Sequence, residues 1–288
     1  MKELSTEEFA EWRRIITDVL REFHDLCHRH GLTYYAVGGT AIGAVRHKGL
    51  IPWDDDIDVA MPRPDYDRFV EICKTEDLGG YELASAETHE GYNLSFVKFC
   101  NKNTTLVERW DTPCVIGLYI DVFALDSTSD DPEEMKMLVE KCRKYRNRLE
   151  AVSTHNSFGE YMSLLLIPHE WGRFVMKTLG FLSRKRMRKF LLDRIDRICR
   201  KYPYGGTHSL INYGGAYGAR EVFNADILNG EPKNLPFEDI TIDMMPDYDR
   251  YLRGVYGDYM QLPPEDKRVP HHLKAFYDLK ARVEVKMQ

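Results

Sequence analysis

"GLIPWDDDIDVAMP", Gly49–Pro62, places four aspartates within five positions and then runs into apolar residues. Gathered carboxylates repel one another, so a folded chain that collects them must offset the cost. Side chains alternate along a strand. Read as a strand, "DIDVA" sends Ile57 and Val59 into a core and sets Asp56 and Asp58 on the opposite face. Two carboxylates at that spacing can hold a divalent cation through oxygen ligands. Asp54 and Asp55 follow Pro52-Trp53 and are expected in the approaching loop, where they add negative potential. A solvated acidic turn is the competing reading, because aspartate is a common turn residue.

The flanking sequence decides between the two. Upstream, "AVGGTAIGAVRH" (36–47) reads as a strand, a diglycine turn and a helix beginning near Thr40. Glycines let a phosphate approach the backbone, and a helix start offers free N–H groups. Downstream, "GLYIDVFAL" (117–125) sets Asp121 inside an otherwise apolar strand. A carboxylate is costly to bury there unless it is paired or metal-bound. Neighbouring strands lie about 4.8 Å apart, so Asp56, Asp58 and Asp121 are expected to surround a catalytic site for one or two metals. All-oxygen ligands favour Mg²⁺ or Mn²⁺. Arg46, His47 and Lys48 follow the short helix and are candidates to neutralise a diphosphate; a solvated helix end is the alternative. Lys98 alternates with Phe96 and reads either as a phosphate contact or as an edge-strand lysine.

Composition narrows the class. The 288 residues are 43% hydrophobic, ample for one large domain or two unequal ones. A net charge of −6 gives no reason to expect a nucleic-acid partner. Six scattered cysteines without a CxxC pair read as reduced thiols of a cytoplasmic protein. The opening "MKELSTEEFAEWRRI" turns acidic and amphipathic at once, unlike a signal peptide. "SLLLIPHEWGRFVMKTLGFL" (163–182) is too polar to span a bilayer, which leaves at most a peripheral contact with the inner membrane face.

Helical spacing runs from Thr6, a plausible N-cap, to about His30, with Gly31 as the stop. After the strand–turn–helix unit come a strand at "IDVAM", a helix at "PDYDRFVEICK" and strands at "YELAS", "LSFVKFC", "TTLVER" and "VIGLYIDVFAL". From Pro132 to Tyr202 nearly everything forms helix. Its basic run "SRKRMRKFLLDRIDRICRK" (183–201) reads as a solvated face with acid–arginine pairs, or as a contact for anionic lipid or glycan. The last third holds one clear helix, "PDYDRYLRGVYG" (246–257). The division expected is a catalytic core over 1–130, a helical insert over 131–202, and a segment over 203–288 that folds back on the core.

"VGGTAIGAVRHKGLIPWDDDIDVAM" (37–61) resembles the signature of the LicD family, phosphocholine-transferase relatives within the nucleotidyltransferase superfamily. "YDRYLRGVYGDYMQLPPEDKRVPHH" (248–272) resembles that family's C-terminal block. The resemblance implies an α+β fold with a small nucleotidyltransferase-like mixed sheet and flanking helices. It makes Gly38, Gly39 and Thr40 the phosphate-facing turn, Asp56 and Asp58 the paired metal ligands, and Asp121 the third carboxylate. It implies transfer of a phospho-alcohol, typically phosphocholine, from a CDP-linked donor to a hydroxyl of a glycan or glycolipid, with release of CMP. Fukutin-like relatives transfer ribitol phosphate. Tyr256, Asp258, Tyr259, Arg268, His271 and His272 sit in the resembling tail as candidate substrate contacts, and Arg220-Glu221 also fits the family's look. The His271-His272 pair invites a zinc reading, but no Cys or second His nearby has ligand spacing. Trp53, Trp110 and Tyr119 are either core or part of a cage for a quaternary ammonium. A DxD glycosyltransferase and a non-enzymatic nucleotide- or cation-binding regulator are the alternatives.

Overall fold

The computed structural model describes residues 4–112, 114–154, 171–270 and 274–285. The first helix, α1 (Thr6–His30), buries one stripe: Trp12, Ile16, Val19, Leu20, Phe23 and Cys27 recur at helical spacing and enter the core. Its N-cap is Ser5 rather than Thr6. The Ser5 hydroxyl accepts from the Glu8 amide (3.1 Å), while the Ser5 amide donates to the Glu8 carboxylate (2.9 Å), a reciprocal capping box. Gly31 ends the helix in the left-handed region at φ 60°, where a Cβ is penalised.

Beyond α1 come β1 (Tyr35–Ala36), α2 (Gly38–Arg46), β2 (Asp58–Pro62), α3 (Arg63–Thr75), β3 (Tyr81–Ala84), β4 (Val97–Val107) and β5 (Ile116–Thr128). These strands build one curled mixed sheet, in the order β1-β2-β5-β4. The pair β2–β5 is parallel, while β1–β2 and β4–β5 are antiparallel. All of β5 is buried, the pattern of a central strand covered on both faces. The sequence reading of two separate strands at 94–100 and 104–109 becomes a single β4, with a register shift between Asn101 and Leu106. Gly117 of β5 faces that irregularity, and a Cβ there would run into the Asn101 carbonyl.

Helices α4 (Pro132–Ser153) and α5 (Trp171–Cys199) then pack against each other. Leu138, Cys142 and Leu149 of α4 meet Leu191, Ile195 and Ile198 of α5 in a second, smaller cluster. The last third adds β6 (Ser209–Ile211), which pairs with the far end of β5, and β7 (Val222–Asn224), which pairs with β6. It also adds the hairpin β8 (Lys233–Phe237) and β9 (Ile240–Met244), the helix α6 (Tyr248–Tyr256) and β10 (Phe276–Asp278) on β4. Phe237, Ile242, Met244, Tyr251 and Leu252 join the main core. The mixed strands and the six α-helices among the described residues are consistent with an α+β fold. Among the described residues, no helix is long and apolar enough to cross a membrane.

Candidate functional site

The aspartates meet where β2 begins. Asp58, the first residue of β2, stands directly beside Asp121 of β5 in the parallel register. Ile57 and Val59 are fully buried, as alternation requires, and Asp56 and Asp58 are half-buried. Burial raises the Asp58 carboxyl well above its ordinary range, and the charges of Asp56, Asp121 and Asp54 push it further. One carboxylate oxygen each from Asp54, Asp55 and Asp56 lie within 4.8 Å of one another. Asp54 therefore belongs to the cluster itself, a closer role than loop potential. Asp55 is different. Its carboxylate pairs with Lys274, and its carbonyl accepts the Trp12 indole N–H at 2.9 Å.

The diglycine packs against this cluster. Helix α2 starts at Gly38 rather than near Thr40, so both glycines lie in its first turn. Gly38 has φ 61°, and a Cβ on it would stand 2.5 Å from Asp58 Oδ2. A Cβ on Gly39 would run into the Asp54 carboxylate. Only glycine satisfies both the left-handed backbone and the close approach. Thr40 is buried, and its hydroxyl accepts the Asp58 amide at 2.8 Å, which fixes the start of β2 against α2.

Lys98 is not an edge lysine. It lies in the middle of the sheet on β4, opposite Asp121, and its Nζ donates to Asp121 Oδ1 at 2.8 Å. Glu108 Oε1 is 3.6 Å from the same Nζ. The ammonium also sits 3.3 Å from the centroid of the Tyr119 ring, a desolvated cation–π contact. Tyr119 thus holds a lysine in this structure, and its hydroxyl donates to Glu108. Burial raises the Asp121 carboxyl, Lys98 pulls it back, and Glu108 and Asp56 raise it again.

The other expected contacts divide into groups. Arg46 donates to the carbonyls of Tyr259 (2.8 Å) and Gln261 (3.3 Å), tying α2 to the C-terminal segment. Burial lowers the Arg46 guanidinium, and the nearby charge of Arg268 lowers it further. Arg268 lies over the Trp53 ring at 5.6 Å, and His47 meets the same ring edge-on at 6.3 Å. Arg46, His47, Trp53 and Arg268 therefore form one basic, aromatic patch. Lys48 has φ 58°, and its carbonyl accepts the Glu238 amide. Trp110 is half exposed and faces Phe276. Arg220 and Asp258 are exposed. His271 and His272 lie outside the described residues.

Glu221 is buried at the end of a 3-10 turn, where burial pushes its carboxyl up to about 6. Tyr217 and Tyr256 pack edge-to-face at 5.0 Å beside it. Burial raises both phenols, with Glu221 and Asp58 adding to the shift, so this segment stands close to the aspartates. Tyr217 and Glu108 escaped the sequence reading. The glycine-rich run "YGGAYGARE" was the available signal for Tyr217, whereas nothing local marks Glu108. A cavity of about 480 Å³ opens between α4 and the sheet, bounded by Phe96, Glu108, Arg143, Arg146, Asn212 and Gly215. That volume suits a small-molecule ligand.

Residues 31–151, which hold the aspartates, Lys98 and Glu108, match the LicD/FKTN/FKRP nucleotidyltransferase domain. The chain is 31% identical over 294 residues to the lipopolysaccharide cholinephosphotransferase LicD of Haemophilus influenzae, covering 97% of this chain and 100% of that protein. The chain belongs to the LicD family. A more distant likeness runs to the ribitol 5-phosphate transferase FKRP of Mus musculus and Homo sapiens. It is 26% over 105 residues, covering 34% of this chain and 20% of each relative. The LicD similarity runs nearly end to end, so it takes in the C-terminal residues around Glu221 and Arg268 as well as the aspartates.

Proposed function

We propose that this LicD-family chain transfers a phospho-alcohol, phosphocholine or a similar group, from a CDP-linked donor to a hydroxyl of a cell-surface glycan or glycolipid precursor, releasing CMP. The observation that carries the reading is the pairing of Asp58 and Asp121 across β2 and β5, with Asp54 and Asp56 alongside. The substrate class rests on the near full-length similarity to a cholinephosphotransferase. A nucleotidyltransferase-like core is part of the same reading, supported by the domain match over 31–151.

The cluster suits a hard divalent cation, Mg²⁺ or Mn²⁺. Its donors are all carboxylate oxygens, and the charges of Asp54, Asp56 and Asp121 all bear on Asp58. Asp56, Asp58 and Asp121 would hold the ion. When bound, it supplies charge stabilisation for the transferring phosphoryl group. The chain's own residues do the rest. Gly38 and Gly39 keep side chains away from the carboxylates, and Thr40 fixes Asp58. Lys98 holds Asp121 through Oδ1. Asp121, so held, is also the carboxylate that would accept the proton of the attacking hydroxyl. Arg46 and Arg268 crowd like charges together, so an anionic diphosphate beside them relieves their repulsion. The cavity between α4 and the sheet is assigned to a substrate group because Glu108 lies on its wall and beside Lys98.

The experiment is product analysis by mass spectrometry with a panel of CDP-alcohols, Mg²⁺ and a glycan acceptor. Acceptor-dependent CMP together with phospho-alcohol mass on the acceptor is the expected outcome. CMP attached to the acceptor, or pyrophosphate released from CTP, would instead make the chain a nucleotidyltransferase in the narrow sense.

A further inference from the structure

A second cluster of metal-ligating side chains lies on the C-terminal half of α1. His24 and His28 are four residues apart and therefore share one face of the helix. Their rings lie 4.1 Å apart, tilted by 35°. Asp243 of β9 reaches the same point, with Oδ2 at 3.1 Å from His28 Nε2. One nitrogen from each ring and one oxygen of Asp243 all fall within 4.8 Å of one another. We propose that His24, His28 and Asp243 form a binding site for zinc or a similar borderline divalent cation, which clips α1 to the β8–β9 hairpin.

Three features support this. The first is spacing. Two ligands held at about 2.05 Å by one tetrahedral ion stand about 3.3 Å apart, so the 3.1 Å separation of His28 and Asp243 needs little adjustment. The second is the surrounding hydrogen bonds. Metal-bound imidazoles and carboxylates are normally held by outer partners. Here Asn234 donates to Asp243 Oδ1, leaving Oδ2 toward the histidines. Tyr34 Oη stands 2.8 Å from His24 Nδ1 and accepts the Asp243 amide at 3.2 Å. With Nδ1 held on Tyr34, the other ring nitrogen of His24 is the one left for a metal. The third is access. His28 is half exposed while Asp243 is buried, so an ion enters from solvent against a fixed carboxylate. Two histidines and one carboxylate leave a fourth position for water.

The ion would join residues 215 positions apart in the sequence, so binding is coupled to the stability of the whole fold. The site uses none of the aspartates assigned to transfer and does not depend on that assignment. The sequence reading looked for zinc ligands only around His271-His272 and passed over the HxxxH pair of α1.

The test uses the full chain, stripped with a chelator and kept in millimolar Mg²⁺. Zn²⁺ is titrated by calorimetry, and Co²⁺ by its visible absorption. One zinc per chain at micromolar affinity or tighter is expected, with tetrahedral-type cobalt bands. His24→Gln and His28→Gln should each weaken zinc binding by at least about tenfold with an unchanged far-UV spectrum, and Asp56→Asn should leave it intact. Absence of stoichiometric zinc binding by the wild type would overturn the proposal. So would zinc binding that survives both histidine substitutions, or that disappears with Asp56→Asn.

Discussion

Strand β5 carries two buried aspartates five residues apart, Asp121 and Asp126, and they have opposite surroundings. Asp126 is closed by Arg63, whose Nε and Nη2 donate to its two oxygens at 2.6 and 2.7 Å. That bidentate pair balances charge one for one and ties the start of α3 to β5. Asp121 is paired with Lys98, which Glu108 shares, while Asp58 and Asp56 stand nearby. The two are alike in burial and differ in the local balance of charge. At Asp126 the fold has answered the charge, and at Asp121 it has gathered more of the same sign.

The largest expected effect is on turnover at the unbalanced end. Asp58→Asn should lower kcat by about 1,000-fold, roughly 4 kcal/mol of transition-state stabilisation. Its metal-free melting temperature should stay level or rise, because one of several crowded negative charges is gone. Acceptor-dependent CMP release and a thermal melt in chelator check the two halves. A variant with a near-normal rate would break the comparison.

At the balanced end the effect moves to stability. Asp126→Ala leaves the Arg63 guanidinium largely buried without its bidentate partner, which should cost about 3 kcal/mol of unfolding free energy. Urea unfolding measures it. A loss below about 1 kcal/mol would show that Asp126 is less structural than its geometry suggests.

A smaller effect sharpens the picture at Glu221. Its folded carboxyl titrates at about 6 against an ordinary 4.5, so the native state binds this proton more tightly than the unfolded chain. The associated stability is fully present below about 4.5 and is lost as pH rises through about 6, about 2 kcal/mol in all. Glu221→Gln can still accept the Tyr217 amide. It should flatten that part of the stability–pH curve and raise stability at pH 7. Unfolding curves across that window, wild type against variant, check it.

Much of this was legible in the sequence because it is local. The stripe of α1, the Gly31 stop and the alternation through Ile57, Asp58 and Val59 are set by neighbours a few residues away. Asp121 announced itself as a charge in an apolar strand. What escaped was set at long range. Lys98 could not be read as the partner of Asp121, because their opposition depends on the β4–β5 register. Asp55 looked like its neighbours until Lys274, 219 positions away, was found to pair with it. That the diglycine lies against the carboxylates of Asp58 and Asp54, where a Cβ would collide with them, is likewise set by the packing of α2 on the loop before β2.

The central claim is that the carboxylates gathered around Asp58 and Asp121 form a site for a divalent cation and a diphosphate. The most direct measurement is the melting temperature of the chelator-treated chain titrated with Mg²⁺, with and without CDP, in the wild type, Asp58→Asn and Glu221→Gln. The account predicts a saturable Mg²⁺-dependent rise in the wild type that grows when CDP is present. The rise should persist in Glu221→Gln and be lost in Asp58→Asn. A wild type indifferent to Mg²⁺ and CDP, or an equal rise in Asp58→Asn, would contradict it.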